Sequence, residues 1–180
     1  DADGRLTNLF RCVKYHPEAL QQELEWLLNS REVFSDARQD THGLTDIQRA
    51  AKFYILIKES FGTNLWSFGA KKKDLEKAVQ YLKAVSHRLR NVVIEHMDFE
   101  HLVKVYDRPD ALFYLDPPYF GAEEYYTAGF GAEDHVRLHD VLSRIKGKLI
   151  LSYNDCDEAH DLYKDYDIIG VDRHDNLAAG

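Results

Sequence analysis

The first half of the chain carries its hydrophobic residues at helical spacing. Leu20, Leu24 and Leu27, for example, recur every three or four positions among charged and polar residues, which is typical of a helix with one buried face. Thr45 followed by Gln48 has the pattern of a capping box, so a helix begins there. The pattern predicts helices over residues 6–15, 18–29, 45–59 and 75–89, with a polar loop over 30–44.

After residue 90 the pattern changes to short apolar runs separated by amphipathic segments. The runs predict strands over 92–94, 112–115, 148–151 and 168–171, and the segments between them predict helices over 99–105, 133–145 and 158–163. Strands that alternate with helices favour an α/β fold with a doubly wound, mainly parallel sheet. We therefore expect one catalytic domain built from 1–23 and 91–180, interrupted by a helical insertion over 24–90.

The most informative motif is Asp116-Pro117-Pro118-Tyr119, which directly follows the apolar run 111–115. Two successive prolines cannot continue a strand ladder, so the chain must leave the sheet at this strand's carboxyl end. In open α/β sheets that end is where ligands bind. The simpler interpretation is an Asp that ends a strand, a stiff turn and a packed Tyr.

This string resembles the Asp-Pro-Pro-Tyr motif of S-adenosylmethionine-dependent DNA adenine N6-methyltransferases. Four other stretches are similar to family segments in the expected order, namely 1–6, 97–99, 120–130 and 151–155. The resemblance implies a class I methyltransferase fold, a restriction–modification setting and an adenine that is flipped out of duplex DNA. It also implies a fragment, because the chain begins where the family's second strand ends, without the first strand and its Gly-rich turn, and stops before the family's last strands. We therefore expect weak cofactor binding.

The motif residues offer chemistry suited to an exocyclic amine. Asp116 can accept one N–H, and the Pro117 carbonyl can accept the other because the Pro118 nitrogen brings no competing donor. Two acceptors on one amine favour a tetrahedral nitrogen and stabilise the developing positive charge. Tyr119 can stack on the flipped purine. Asp116, Pro117, Pro118 and Tyr119 are thus the predicted catalytic residues.

The resemblance also implies binding roles for residues outside the motif. Asp1 corresponds to the acidic residue that bonds a ribose hydroxyl, Asp98 to an acceptor for the cofactor's adenine amine, and Phe99 to a ring packed on that adenine, with Asp116 at the same site. A plain helix N-cap is the alternative for Asp98. The predicted DNA-binding residues are Lys71, Lys72, Lys73, Tyr125, Tyr126 and Asn154, and the helical insertion over 24–90 is the predicted DNA target-recognition subdomain.

Charge supports a nucleic-acid partner in one region only. The net charge is −8, but residues 52–90 carry +6 and the remainder −14. A basic block in an acidic chain can hold phosphates while the remainder limits non-specific binding. A solvated helix face is the alternative for these lysines.

The remaining sequence features concern membrane insertion, the cysteine thiols and metal binding. No apolar stretch has membrane-spanning length, and Cys12 and Cys156 are isolated, which suits reduced thiols in the cytoplasm. His135 and His139 share a helix face, but without a third ligand at a set spacing we expect no metal site.

Three alternatives to adenine methylation stay open: methylation of cytosine N4, methylation of another planar amine such as a glutamine amide, and a non-catalytic DNA-binding remnant. The oligomeric state is not predicted.

Overall fold

The computed structural model of the chain describes residues 2–25, 30–61, 65–69, 75–123 and 129–172, which form two compact units. The first unit, Asp3–His96, contains the helices α1 (Gly4–Tyr15), α2 (Pro17–Glu25), α3 (Arg31–Ala37), α4 (Asp46–Glu59), α5 (Leu75–Gln80) and α6 (Leu82–Arg88). The second unit, Met97–Gly180, contains α7 (Phe99–Tyr106), β1 (Leu112–Leu115), α8 (Ala132–Leu142), β2 (Lys148–Leu151) and α9 (Asp157–Leu162).

Helix α4 organises the first unit, since α1, α2 and α3 all pack against it. The predicted capping box is confirmed: Thr45 Oγ1 accepts from the Gln48 amide, and Gln48 Oε1 accepts from the Thr45 amide at 3.0 Å. Burial of large apolar side chains stabilises the unit by about 1.5–3 kcal/mol for each one fully removed from water. The buried set includes Leu9, Val13, Leu20, Phe34, Phe53 and Leu56.

Two sequence predictions in the first unit need correction. Part of the loop predicted over 30–44 is helix α3, which Ser30 caps by accepting a hydrogen bond from the Val33 amide. Phe34 lies buried in that helix with its ring edge against Phe68, and this non-local contact outweighs the weak local periodicity. The helix predicted over 75–89 is interrupted at Tyr81, which separates α5 from α6.

The second unit is built around two parallel strands. Leu112 of β1 pairs with Lys148 of β2, and the register continues to Leu115 and Leu151. Parallel pairing places the carboxyl ends of both strands at one edge. The carboxylate of Asp107 accepts hydrogen bonds from the amides of residues 146 and 147, which holds the chain entering β2 against the start of β1.

Two predicted strands are wrong. In the segment 92–94, the Val92 amide donates to the Leu89 carbonyl, and the Val92 carbonyl accepts from Lys14 Nζ at 2.7 Å. Both backbone groups of Val92 are therefore used outside any sheet. Residues 168–171 form no strand, and Ile169 and Val171 are more than four-fifths exposed. A strand forms only where a neighbour pairs with it.

The described residues therefore show a helix-rich α/β chain with a two-stranded parallel sheet. This is compatible with part of the doubly wound sheet. The complete sheet stays a prediction, as does the division into 1–23 with 91–180 and 24–90. Within the described ranges, no helix combines the length and apolar character needed to cross a membrane. Cys12 and Cys156 are free thiols.

Candidate active site

The edge where β1 and β2 end brings two polar segments together. β1 leads directly into Asp116-Pro117-Pro118-Tyr119, and β2 leads into Ser152-Tyr153-Asn154. The Ser152 amide extends the pairing by donating to the Leu115 carbonyl at 3.0 Å. Because the strands are parallel and in register, the predicted catalytic motif and the end of β2 lie side by side.

Asp116 is exposed and oriented by one neighbour. Ser152 Oγ donates to Asp116 Oδ1 at 2.7 Å, an ordinary distance for a hydroxyl donor. In the described part of the chain no donor reaches the second oxygen, Oδ2, or the Pro117 carbonyl oxygen. Two acceptors next to each other on the motif thus keep the capacity to receive N–H groups.

The turn after the motif is held by hydrogen bonds from both sides. The Ala122 amide donates to the Tyr119 carbonyl at 2.9 Å, with Gly121 at a φ of +78° that favours glycine. From the end of β2, Asn154 Nδ2 donates to the Phe120 carbonyl at 3.3 Å. The Tyr119 ring lies 6.3 Å from the ring of Tyr153, centroid to centroid, and stays half-buried.

His135 of α8 lies beneath this turn and is 1% exposed. Its Nδ1 lies 2.8 Å from the Tyr153 hydroxyl, and its Nε2 lies 2.9 Å from Glu123 Oε1. Its ring stacks on Phe120, with centroids 3.9 Å apart. Both ring nitrogens are therefore occupied by protein partners.

The surroundings of His135 shift the pKa values of its neighbours. Hydrogen bonds from backbone amides and from His135 lower the pKa of Glu123, so this carboxylate stays ionised. Burial raises the pKa of Tyr153, and burial also raises the pKa of the adjacent Tyr163 to about 12. Both phenols therefore keep their protons near neutral pH.

A second group of predicted residues lies at the start of α7. Asp98 is the N-cap, accepting from the Glu100 amide at 2.9 Å, and its Oδ2 accepts from Arg137 Nη2 at 2.9 Å. The Arg137 guanidinium also lies 4.3 Å from the Phe99 ring centroid. Partial burial lowers the pKa of Arg137, but hydrogen bonds to Asp98 and Asp134 outweigh it and raise that pKa overall.

A chain of rings connects the two groups. Phe99 lies 6.0 Å from Phe130, Phe130 meets the His135 ring edge-on at 5.0 Å, and His135 stacks on Phe120. The start of α7 and the turn after the motif therefore pack through common aromatic neighbours. The predicted residues Asp1, Lys71, Lys72, Lys73, Tyr125 and Tyr126 lie outside the described residues.

Comparison with known proteins decides the family. The sequence model of the D12 class N6 adenine-specific DNA methyltransferases matches residues 1–177. The chain belongs to this family. It is 30% identical over 195 residues to the type II methyltransferase M1.LlaDCHI of Lactococcus lactis subsp. cremoris, covering 93% of this chain and 68% of that protein. It is 29% identical over 79 residues to the type II methyltransferase M.CviBI of Paramecium bursaria Chlorella virus NC1A, covering 43% of this chain and 30% of that protein.

Membership in this DNA methyltransferase family confirms the resemblance drawn from the motif Asp116–Tyr119. The sequence analysis assigned no role to three neighbours of the site, Glu123, Tyr153 and Arg137. It weighed His135 only as a metal ligand. A signal for His135 was present, since it shares a stripe with the buried Leu138 and Leu142 on α8. Among the residues that the structure describes, no three His, Cys, Asp or Glu side chains form a group able to hold a metal ion.

Proposed function

We propose that this methyltransferase transfers a methyl group from S-adenosylmethionine to the N6 amine of an adenine flipped out of duplex DNA. One observation carries the proposal: Asp116, at the carboxyl end of β1, is oriented through Oδ1 by Ser152 while Oδ2 keeps its capacity to accept. The name of the matching family specifies the same base and atom.

The amine of adenine is a poor nucleophile because its lone pair is delocalised into the ring. Asp116 Oδ2 accepts one of its hydrogens and the Pro117 carbonyl accepts the other, so the nitrogen becomes tetrahedral and its electron pair faces the methyl group. The positive charge that develops on nitrogen is stabilised by a carboxylate and a carbonyl dipole already in position.

The balance of the step needs no further reactant. S-adenosylmethionine supplies a methyl group bonded to a positively charged sulfur. When this carbon–sulfur bond breaks, the remainder of the cofactor leaves as a neutral thioether. The nitrogen–carbon bond forms with the amine's lone pair, and one amine proton is then lost to water. Tyr119 stacks on the flipped base and offsets part of the unstacking cost of a few kcal/mol.

The residues at the start of α7 fit an adenosine-containing cofactor. Asp98 presents a carboxylate that is about half exposed, with the Phe99 ring next to it in the sequence. A carboxylate can accept from an adenine amine, and an aromatic ring can pack on the purine face. We assign Asp98 and Phe99 to the adenine of the cofactor and Asp1 to a hydroxyl of its ribose. We place Asp116 at the point where the cofactor meets the target base.

DNA binding is assigned to residues with charge or planar rings. Lys71, Lys72 and Lys73 are matched to phosphates, and Tyr125 and Tyr126 to the flipped base, because cations neutralise the backbone and aromatic rings stack on bases. Asn154 is also assigned to DNA binding, because its side-chain amide can donate and accept hydrogen bonds. The proposal includes a complete class I fold and a cytoplasmic setting, which suits the free thiols.

Methyl transfer to unmethylated plasmid DNA tests the function. Purified protein that carries the full cofactor motif is incubated with S-adenosylmethionine, and the nucleosides are released and identified by mass spectrometry. We expect N6-methyladenine as the product. N4-methylcytosine as the product would overturn the assignment to adenine, and no methylated nucleoside at any enzyme concentration would favour the non-catalytic alternative.

The Asp116→Ala variant, made in a protein that carries the full cofactor motif, tests the catalytic assignment in the same assay. We expect its rate to fall by at least about a hundred-fold, because a required charged acceptor is lost. Calorimetry should show the binding of S-adenosylmethionine retained, since the carboxylate mainly serves the amine. Retention of more than a few per cent of the rate would show that Asp116 is not the acceptor.

A further inference from the structure

The hydrogen bonds of His135 fix the orientation of its ring. Glu123 is ionised and can only accept, so His135 Nε2 carries the proton and donates across the 2.9 Å distance. Nδ1 lies 2.8 Å from the Tyr153 hydroxyl, a group that can donate or accept. Both ring nitrogens therefore have a partner, and no third polar partner is needed in this buried position.

Packing adds a second constraint on the ring. The stack on Phe120 has an interplanar angle of 21°, while Phe130 meets the ring at 78°. Phe120 follows Tyr119 directly, so a displacement of the imidazole displaces the residue next to the catalytic motif. The Tyr153 ring lies 5.5 Å from His135 and 5.0 Å from Phe120, which closes the cluster.

We propose that His135 is a positioning residue for the motif Asp116–Tyr119, linking the turn after β1, through Glu123 and Phe120, to the end of β2, through Tyr153. The role rests on the proposed function, because the geometry it maintains is that of the amine acceptors. The ring belongs to an eleven-residue helix, so a regular element supports a turn outside the sheet. A misplacement of about 1 Å at reacting groups can cost a hundred-fold in rate.

Three variants separate this role from general stability. Tyr153→Phe removes only the hydroxyl that is hydrogen-bonded to Nδ1, and His135→Phe keeps an aromatic ring but removes both polar contacts. His139→Gln is the matched control: it lies one turn further along α8, where its ring contacts Tyr163 and Tyr166 away from the motif.

Amide hydrogen exchange reports the position of the turn without catalysis. The Ala122 amide is bonded to the Tyr119 carbonyl, and the Ser152 amide to the Leu115 carbonyl. We expect Tyr153→Phe and His135→Phe to accelerate exchange at Ala122 by about ten-fold or more, with exchange at Ser152 unchanged. Equal acceleration at both amides, or at neither, would overturn the proposal.

Kinetics supply the second readout. We expect kcat for adenine methylation to fall by about ten-fold or more in both aromatic variants, with KM for the cofactor within about three-fold of wild type. His139→Gln should match wild type in exchange and in kcat. A folded Tyr153→Phe protein with wild-type kcat would refute the positioning role. If the wild-type protein makes no N6-methyladenine, the proposed function fails, whereas the exchange at Ala122 still decides whether His135 positions the turn.

Discussion

The Ser152 hydroxyl donates a 2.7 Å hydrogen bond to the carboxylate of Asp116 across the ends of two parallel strands. The same hydroxyl lies 3.4 Å from the Leu115 carbonyl, so its position follows from the strand register. The hydrogen bond uses one oxygen of the Asp116 carboxylate, leaves the other able to accept, and limits rotation of the carboxylate. A residue that follows β2 thus orients the first residue of the motif that follows β1.

Replacing this serine tests the orientation. We expect Ser152→Ala to reduce kcat by about ten-fold, which corresponds to about 1.4 kcal/mol, with little change in cofactor affinity. The matched control is Ser143→Ala, whose hydroxyl donates to the Asp140 carbonyl at the end of α8. Steady-state methylation kinetics measure both. A kcat within two-fold of wild type for Ser152→Ala would show that the carboxylate needs no such partner.

The close approach at Gly147 should make this position intolerant of a side chain. A Cβ there would lie 2.7 Å from the Ala111 carbonyl oxygen and 2.9 Å from that of Arg108. We expect Gly147→Ala to lower the free energy of unfolding by about 1–3 kcal/mol, because backbone must shift. Gly170→Ala is the control, since a Cβ there meets nothing within 4 Å. Urea denaturation followed by circular dichroism compares them, and equal stabilities would contradict the predicted clash.

Alkaline pH should destabilise the second unit through its buried phenols. Burial raises the pKa of Tyr163 from 10.0 to about 12, so the folded state holds this proton more tightly than the unfolded state. The resulting stability is complete below pH 10 and is lost as the pH rises from about 10 to about 12, by up to about 1.4 kcal/mol per pH unit.

Tyr163→Phe should therefore make the decline in unfolding free energy between pH 10 and 12 shallower. Part of the decline should remain, because burial also raises the pKa of Tyr153. Tyr114→Phe, at a tyrosine that is 69% exposed, is the control and should keep the wild-type slope. Urea denaturation at a series of pH values measures this dependence of the unfolding free energy on pH. An unchanged slope in Tyr163→Phe would mean that this phenol titrates alike in both states.

The lysines at 71–73 should govern the salt dependence of DNA binding. Changing all three to Gln should weaken binding to every duplex alike and reduce the slope of log affinity against log salt by about one for each phosphate that is no longer neutralised. Fluorescence anisotropy with a labelled duplex measures the slope. A triple change of the exposed Lys146, Lys148 and Lys164 is the control of equal charge. If both triple variants change the slope equally, the lysines at 71–73 have no special role.

Local signals in the sequence were sufficient for several elements. The helix α4 and its capping box follow from Thr45, Gln48 and the apolar spacing after them, all within a few residues. The strand over 112–115 and its abrupt end follow from an apolar run met by two prolines, which cannot continue a ladder. The order of motifs identified the family for the same reason, since each is a short string.

Contacts between distant residues required the tertiary structure. His135 was recognisable as a helix residue, but its bonds to Glu123 and Tyr153 depend on how α8 meets two loops. The residues over 92–94 and 168–171 have the apolar composition of strands, yet a strand exists only when a neighbour supplies the other half of each hydrogen bond. Sequence spacing specifies the face of a helix or strand, whereas the partner on the other side of that face is decided by the fold.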